Sequence, residues 1–147
     1  MTRRAPLIVL VLLTFAVGCG LPAFDFSDYR SKAVSTVEET ISEARTAMLA
    51  AELLRRDRTF AASAIVQLED AEEAASGAVW DLAAVLPPDA RSIGLRQQLQ
   101  PSLDGSADLI ARMRFAARHG DLEELGRLAQ ALKQPIGRLE GWVEATG

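Results

Sequence analysis

The chain has 147 residues, a formal net charge of −4 and 49% apolar residues. That length fits one ordinary domain. A single cysteine excludes an intrachain disulfide, a single histidine leaves almost nothing for a histidine-based metal site, and the acidic balance argues against the basic face of a nucleic-acid binder. Abundant alanine and few β-branched runs favour helix.

Residues 1–18 have the three parts of an export signal. Arg3 and Arg4 supply a positive end, and Leu7 to Val17 is an apolar stretch. That stretch is shorter than the roughly 20 residues that span a bilayer. Ala16-Val17-Gly18-Cys19 follows. This tetrapeptide resembles a lipobox, the processing site of bacterial lipoproteins, with Ala16 standing where that pattern prefers leucine. The resemblance covers about 19 residues and says nothing of the rest. It implies that the Cys19 thiol receives a diacylglyceryl group and that cleavage between Gly18 and Cys19 leaves Cys19 as the new N-terminus. Lipid chains confer about 0.8 kcal/mol per buried CH₂, so two or more anchor firmly. The expected address is the cell envelope: the outer face of the cytoplasmic membrane or, in a Gram-negative cell, the outer membrane, since Gly20 and not an aspartate follows the cysteine. Without residues 1–18 the chain keeps 14 basic and 20 acidic residues, a net charge of −6.

The expected layout is a signal peptide over 1–18, a lipidated tether over 19–24 and a helical domain over 25–147. Helix one spans about 27–56, with Asp25, Ser27 and Asp28 offering N-cap chemistry and Val34, Val37, Ile41, Ala44, Met48 and Ala51 at heptad spacing. A turn near Asp57, with Thr59 as the next N-cap, is the least marked boundary because no glycine or proline signals it; one continuous helix is the alternative. Helix two, 59–86, carries Ala61, Ala64, Leu68, Ala71, Ala75, Ala78, Leu82 and Val85, widened by Ile65, Val79 and Leu86. Pro87-Pro88 ends it. Helix three, 89–118, runs through Ile93, Leu99, Leu103, Ile110, Met113 and Ala117, with a kink or break expected at Pro101. Gly120 suits a helix stop, and Asp121 with Glu124 resembles a capping box. Helix four, 121–145, has Leu122, Leu125, Ala129, Leu132, Ile136, Leu139 and Val143, interrupted by Pro135. A hairpin turning at Gly120 puts Pro101 and Pro135 at similar heights and predicts a shared bend. Four helices with short turns predict an all-α, antiparallel up-down-up-down four-helix bundle, each helix about 40 Å long. Two hairpins that complete a core only as a homodimer are the runner-up.

Chemistry-bearing patterns are sparse. Di-iron bundles need glutamates and Glu-x-x-His on facing helices, whereas His119 stands alone in a turn and the acids Glu38, Glu39, Glu43, Glu69, Asp70, Glu72 and Glu73 have the spacing of solvated faces. No phosphate-binding glycine loop or nucleophile motif is present, so no enzyme and no cofactor are expected. Arg55, Arg56, Arg58, Arg114 and Arg118 gather at the end far from the tether, either as surface charge paired with local acids or as a patch for an anion or acidic partner. Phe24, Phe26, Tyr29, Trp80 and Trp142 fall at the tether end, where Tyr29, Trp80 and Trp142 are candidates to face a membrane surface. Phe60 and Phe115 are expected to close the top of the core. Gly137 and Gly141 form a G-x-x-x-G on the outer side of helix four, a candidate partner face. The expectation for function is a membrane-anchored, non-catalytic interaction or scaffold module meeting an envelope protein; the alternative is a binder of a small or lipidic ligand between helices, opened near Pro101 and Pro135.

Overall fold

The computed structural model describes residues 23–146. The expected signal segment, with Gly18 and Cys19, lies outside the described residues. Four helices follow in order, α1 (Phe26–Arg55), α2 (Ala61–Ala84), α3 (Ala90–Arg118) and α4 (Leu122–Thr146), and they pack as an all-α four-helix bundle. Among the described residues there is no strand, and no helix is long and apolar enough to cross a membrane.

Three of the four helix starts are capped by aspartate. Asp25 accepts from the Asp28 N–H at 2.9 Å, which satisfies one orphan donor of the helix, and Asp28 accepts from the Phe24 N–H ahead of the cap at 3.2 Å. Asp89 accepts from both the N–H (2.8 Å) and the hydroxyl (2.8 Å) of Ser92, and Asp121 accepts from the Glu124 N–H at 2.9 Å. At the start of α2 the residue in the capping position is Phe60, not Thr59, and no side chain caps that helix.

The two turns at the far end share one hydrogen-bond scheme. After α1, the Arg58 N–H donates to Leu53 O at 2.8 Å and the Asp57 N–H to Leu54 O at 3.0 Å. After α3, the Asp121 N–H donates to Ala116 O at 3.0 Å and the Gly120 N–H to Ala117 O at 3.1 Å. Both are Schellman stops, which need a left-handed residue at their centre. Gly120 supplies it with φ 69°, and Asp57 with φ 54°. Asp57 therefore separates α1 from α2 without the glycine that would have marked the turn.

Helix α1 touches all three others and α3 does the same, while α2 and α4 do not meet. The α1–α3 diagonal is therefore the short one. Small side chains on α1 allow it: Ala33, Ala44, Ala47, Ala50 and Ala51 are buried, with Ala64, Ala71, Ala75 and Ala78 facing inward from α2. Larger residues from α3 and α4 fill the remaining space, including Leu99, Ile110, Met113, Leu125, Leu132 and Leu139. The buried face of α1 is wider than the expected stripe, of which Val37, Ile41, Ala44 and Ala51 are buried. Val34 and Met48 sit half-buried on its flanks, while Ala33, Thr36, Thr40, Ala47 and Ala50 point inward. Thr40 donates to Thr36 O at 2.8 Å and Ser106 to Ser102 O at 2.7 Å, so these buried hydroxyls are satisfied within their own helices.

Four residues placed on the interior stripes from sequence are exposed instead, Leu122 at the start of α4 among them. Leu86 lies beyond the end of α2, Ala61 is its first residue, and in the first turn of α3 it is Ser92, bonded to Asp89, that turns inward in place of Ile93. Pro101 and Pro135 both lie within continuous helices, so neither breaks its element. Pro101 is exposed and Pro135 is buried. The Arg138 Nε–H donates to Ser102 Oγ at 3.0 Å, which sets both prolines within about a turn of the same level along the α3–α4 pair.

Candidate interaction surfaces

The far end carries the five arginines singled out from sequence, and most are engaged by acids. Arg114 makes a two-pronged pair with Glu72 of α2, with its second contact at 3.2 Å, and Arg118 meets Glu69 at 3.1 Å. Hydrogen bonding to Glu72, outweighing partial burial, pushes the Arg114 guanidinium above its usual range. Arg56 pairs with Glu52, and Arg55 lies 3.9 Å from the same carboxylate. The Arg55 guanidinium also lies across Gly126 of α4: a Cβ there would come within 2.7 Å of Arg55 Cζ. Gly126 thus gives the arginine room to cross from α1 to α4. These five residues do not form one open cationic surface. His119 is exposed, with Nδ1 2.9 Å from Phe115 O and its ring 4.1 Å from the Phe115 ring. Among the described residues no group of three or more histidine, cysteine, aspartate or glutamate side chains is arranged to hold a metal ion.

Phe60 and Phe115, expected to close the core, do not. Phe60 is 84% and Phe115 64% exposed, and Leu122 beside them is exposed as well. Phe60 has extended backbone ahead of α2, which turns its ring outward. On α3, Met113, Ala116 and Ala117 take the interior positions, and 3.6 residues per turn leave Phe115 on the opposite side.

At the end where the chain enters α1, the expected tether end, the three candidate membrane-facing aromatics part company. Tyr29 is fully buried (0% exposed), which corrects its expected outward placement. Its hydroxyl accepts from Arg96 Nε at 3.0 Å, and Arg96 also donates to the Leu82 carbonyl at 3.3 Å and to the Val85 carbonyl. Those carbonyls form the C-terminal end of α2, the negative pole of its dipole, so the guanidinium is well placed there. Arg96 ties α1, α2 and α3 together at one level. Sequence patterns missed it because its partners are two carbonyls and a phenol, not a carboxylate at helical spacing. Trp142 is half-buried against the core, while Trp80 is 74% exposed beside a groove shared with α3 residues Gln100, Asp104 and Ala107. Phe26 lies under Arg91, whose guanidinium carbon is 4.5 Å from the ring centre.

Further openings border the helices. A groove of about 550 Å³ runs between α1 and α4, lined by Ile41, Arg45, Leu49, Glu140 and Val143, with Arg45 and Glu140 paired across it at 2.7 Å. A recess of about 50 Å³ lies between α2 and α3 beside Arg96 and Leu103, well under the several hundred Å³ of ordinary ligand pockets. On α4, Gly137 and Gly141 are exposed, and a Cβ added at either would meet nothing within 4 Å.

No family model, curated protein or solved structure matches the chain.

Exposed large apolar residues are not spread evenly over the molecule. Phe60, Val66, Leu49, Phe115 and Leu122 lie within two turns of the far end, and Phe24, Trp80, Leu86 and Ile93 within two turns of the tether end. The waist between them has none among the described residues.

Proposed function

We propose that the chain is a membrane-anchored envelope lipoprotein whose bundle serves as a non-catalytic interaction module, holding its far end toward a partner protein. The supporting observation is the exposed pair Phe60 and Phe115, with Leu122, at the end of the bundle opposite the start of α1. Aromatic rings left in solvent beside short, hydrogen-bonded turns match the rigid apolar anchors that dominate protein interfaces. The lipobox-like Ala16-Val17-Gly18-Cys19 supports the address. Lipid anchoring would confine the module to a surface and raise its effective concentration toward other envelope components without any new contact.

Two measurements test this reading separately. Cys19→Ala should move the protein out of the membrane fraction; equal retention of the variant would remove the lipid anchor. A photo-crosslinker at position 60 or 115 should trap a discrete protein species in cells, while one at the waist position Ser76 should not. Identical patterns from all three positions would remove the far-end interface.

A further inference from the structure

The open groove beside Trp80, about 320 Å³ in volume, lies between α2 and α3 and falls within the size of small-ligand sites. Val79 and Ala83 from α2 and Ala107 from α3 give it apolar walls, and Trp80 and Asp104 stand exposed at its edges. The Glu72–Arg114 and Glu69–Arg118 pairs fix the register of the two helices. Two turns on from the Glu72–Arg114 pair, that register sets Trp80 and Asp104 within about a turn of the same level. Among the described residues the Asp104 side chain makes no ion pair and no hydrogen bond. The indole is unmatched as well. Arg91 lies over the Phe26 ring at 4.5 Å and Arg96 over the Tyr29 ring at 5.9 Å, whereas among the described residues no cation lies over Trp80. Arg96 borders the adjoining recess, but its donors are taken by the Tyr29 hydroxyl and the carbonyls of Leu82 and Val85.

We infer that this groove binds a quaternary ammonium group, with the indole of Trp80 against its methyl groups and the Asp104 carboxylate balancing its charge. Tryptophan is the ring that attracts cations most strongly, and methylated ammonium groups are the ligands that aromatic sites take up in this way. The free carboxylate makes the groove complementary to a cation and would repel an anion. The other walls select among cations. A primary ammonium brings three donors and a guanidinium five. Against these the groove offers one carboxylate, the Gln100 amide oxygen and the Ser76 hydroxyl, and its remaining surface is apolar. Donors facing that surface would lose water without gaining partners. A quaternary ammonium has no N–H to satisfy, and its methyl groups pack on Val79, Ala83 and Ala107. The groove is separate from Phe60 and Phe115, so a ligand there leaves the far end of the bundle free.

The test is an NMR titration of the nitrogen-labelled protein in a non-ionic detergent at constant ionic strength. Its two tryptophans, Trp80 and Trp142, each give an indole N–H signal, assigned with Trp80→Phe. Choline should shift the Trp80 signal saturably, with a dissociation constant on the order of 1 mM, and leave Trp142 in place. The neutral isostere of choline, with carbon in place of nitrogen, has the same shape without the charge and should bind at least about fivefold more weakly. Asp104→Asn, at an exposed site, should weaken choline at least about threefold and leave the isostere unchanged. Glycerophosphocholine, compared with choline, distinguishes a lipid headgroup from a free amine as the source of the group; tighter binding by either carries the proposal. A Trp80 signal that does not shift saturably with choline or glycerophosphocholine overturns it. Equal binding of the isostere, or unchanged choline binding by Asp104→Asn, leaves only an apolar contact and also overturns it. Ethanolamine bound as tightly as choline would show a site for primary amines, such as a lysine side chain of a partner, and would overturn the methylated class.

Discussion

Arg96 shows how one side chain organises an end of the bundle. It is partly buried among α1, α2 and α3, and its donors meet the Tyr29 hydroxyl and the carbonyls of Leu82 and Val85. Removing a buried partner costs more than the net worth of the bond, because the group left behind stays desolvated. Tyr29→Phe should therefore cost about 1 kcal/mol, and Arg96→Ala, which strips three acceptors at once, about 2–3 kcal/mol, both read by urea denaturation. Equal costs would mean that the arginine contributes only through Tyr29. Asp89 and Glu43 act in opposite directions with pH. Hydrogen bonds from the Ser92 backbone and hydroxyl hold the Asp89 carboxyl below its ordinary range. Its stabilising contribution is thus present above the unfolded pKa and is lost as pH falls through the folded one. Burial, then the charges of Glu39 and Asp70, pushes Glu43 above the ordinary glutamate range, so its contribution falls as pH rises through that range. In melts taken from neutral to acid pH, the deficit of Asp89→Asn should shrink, while the gain of Glu43→Gln should vanish. None of this was legible in the sequence beyond the presence of an aspartate at a helix start. The Asp89–Ser92 bond needs that cap to form, and the Tyr29–Arg96 contact joins residues 67 apart.

Elements were legible to the extent that their periodicity was strong and their ends were chemically marked. The alanine-leucine stripe of α2 reads through to the structure at Ala64, Leu68, Ala71, Ala75, Ala78 and Leu82, and the Pro87-Pro88 stop limits that helix. The α1–α2 boundary was obscure because Asp57 adopts the left-handed conformation that glycine usually provides. The inward face of α1 was legible in part: Val37, Ile41, Ala44 and Ala51 are buried, while Ala33, Ala47 and Ala50 beside them carry no apolar bulk to mark them as core. Two substitutions test these points. Asp57→Gly should stabilise the protein by about 0.5–1 kcal/mol, relief of the positive φ outweighing the greater flexibility of the unfolded glycine chain. Pro101→Ala should gain about 1–3 kcal/mol, because Pro101 is exposed within a continuous helix and leaves the Gln97 carbonyl without its i→i−4 donor. A loss of stability at Pro101→Ala would mean that the proline is set in a distortion that α3 needs in order to pack. Pro135, by contrast, is buried, and its replacement also loses packing.

Over the whole molecule, the apolar surface divides into two ends separated by a polar waist, and this could not be seen before the turns were placed. Leu86, Ile93, Phe60 and Phe115 all read as core by residue type, and all four are exposed. Phe60 is the most informative of them. It occupies the N-cap of α2, where a small polar side chain would satisfy an orphan N–H, and it supplies no such bond while exposing its ring. Folding alone gains nothing from phenylalanine there. Phe60→Ser should raise stability by about 1 kcal/mol through a new cap and lower the tendency to self-associate through an exposed aromatic. If the far end serves a partner, the same variant should lose the protein captured in cells from a photo-crosslinker at position 115, because an aromatic anchor is worth about 2 kcal/mol or more to an interface. The two readouts must then move in opposite directions, more stable and less bound. Such a trade is expected where function holds a residue that folding does not favour. A variant that is more stable and still captures its partner at unchanged yield would show that the ring serves neither purpose.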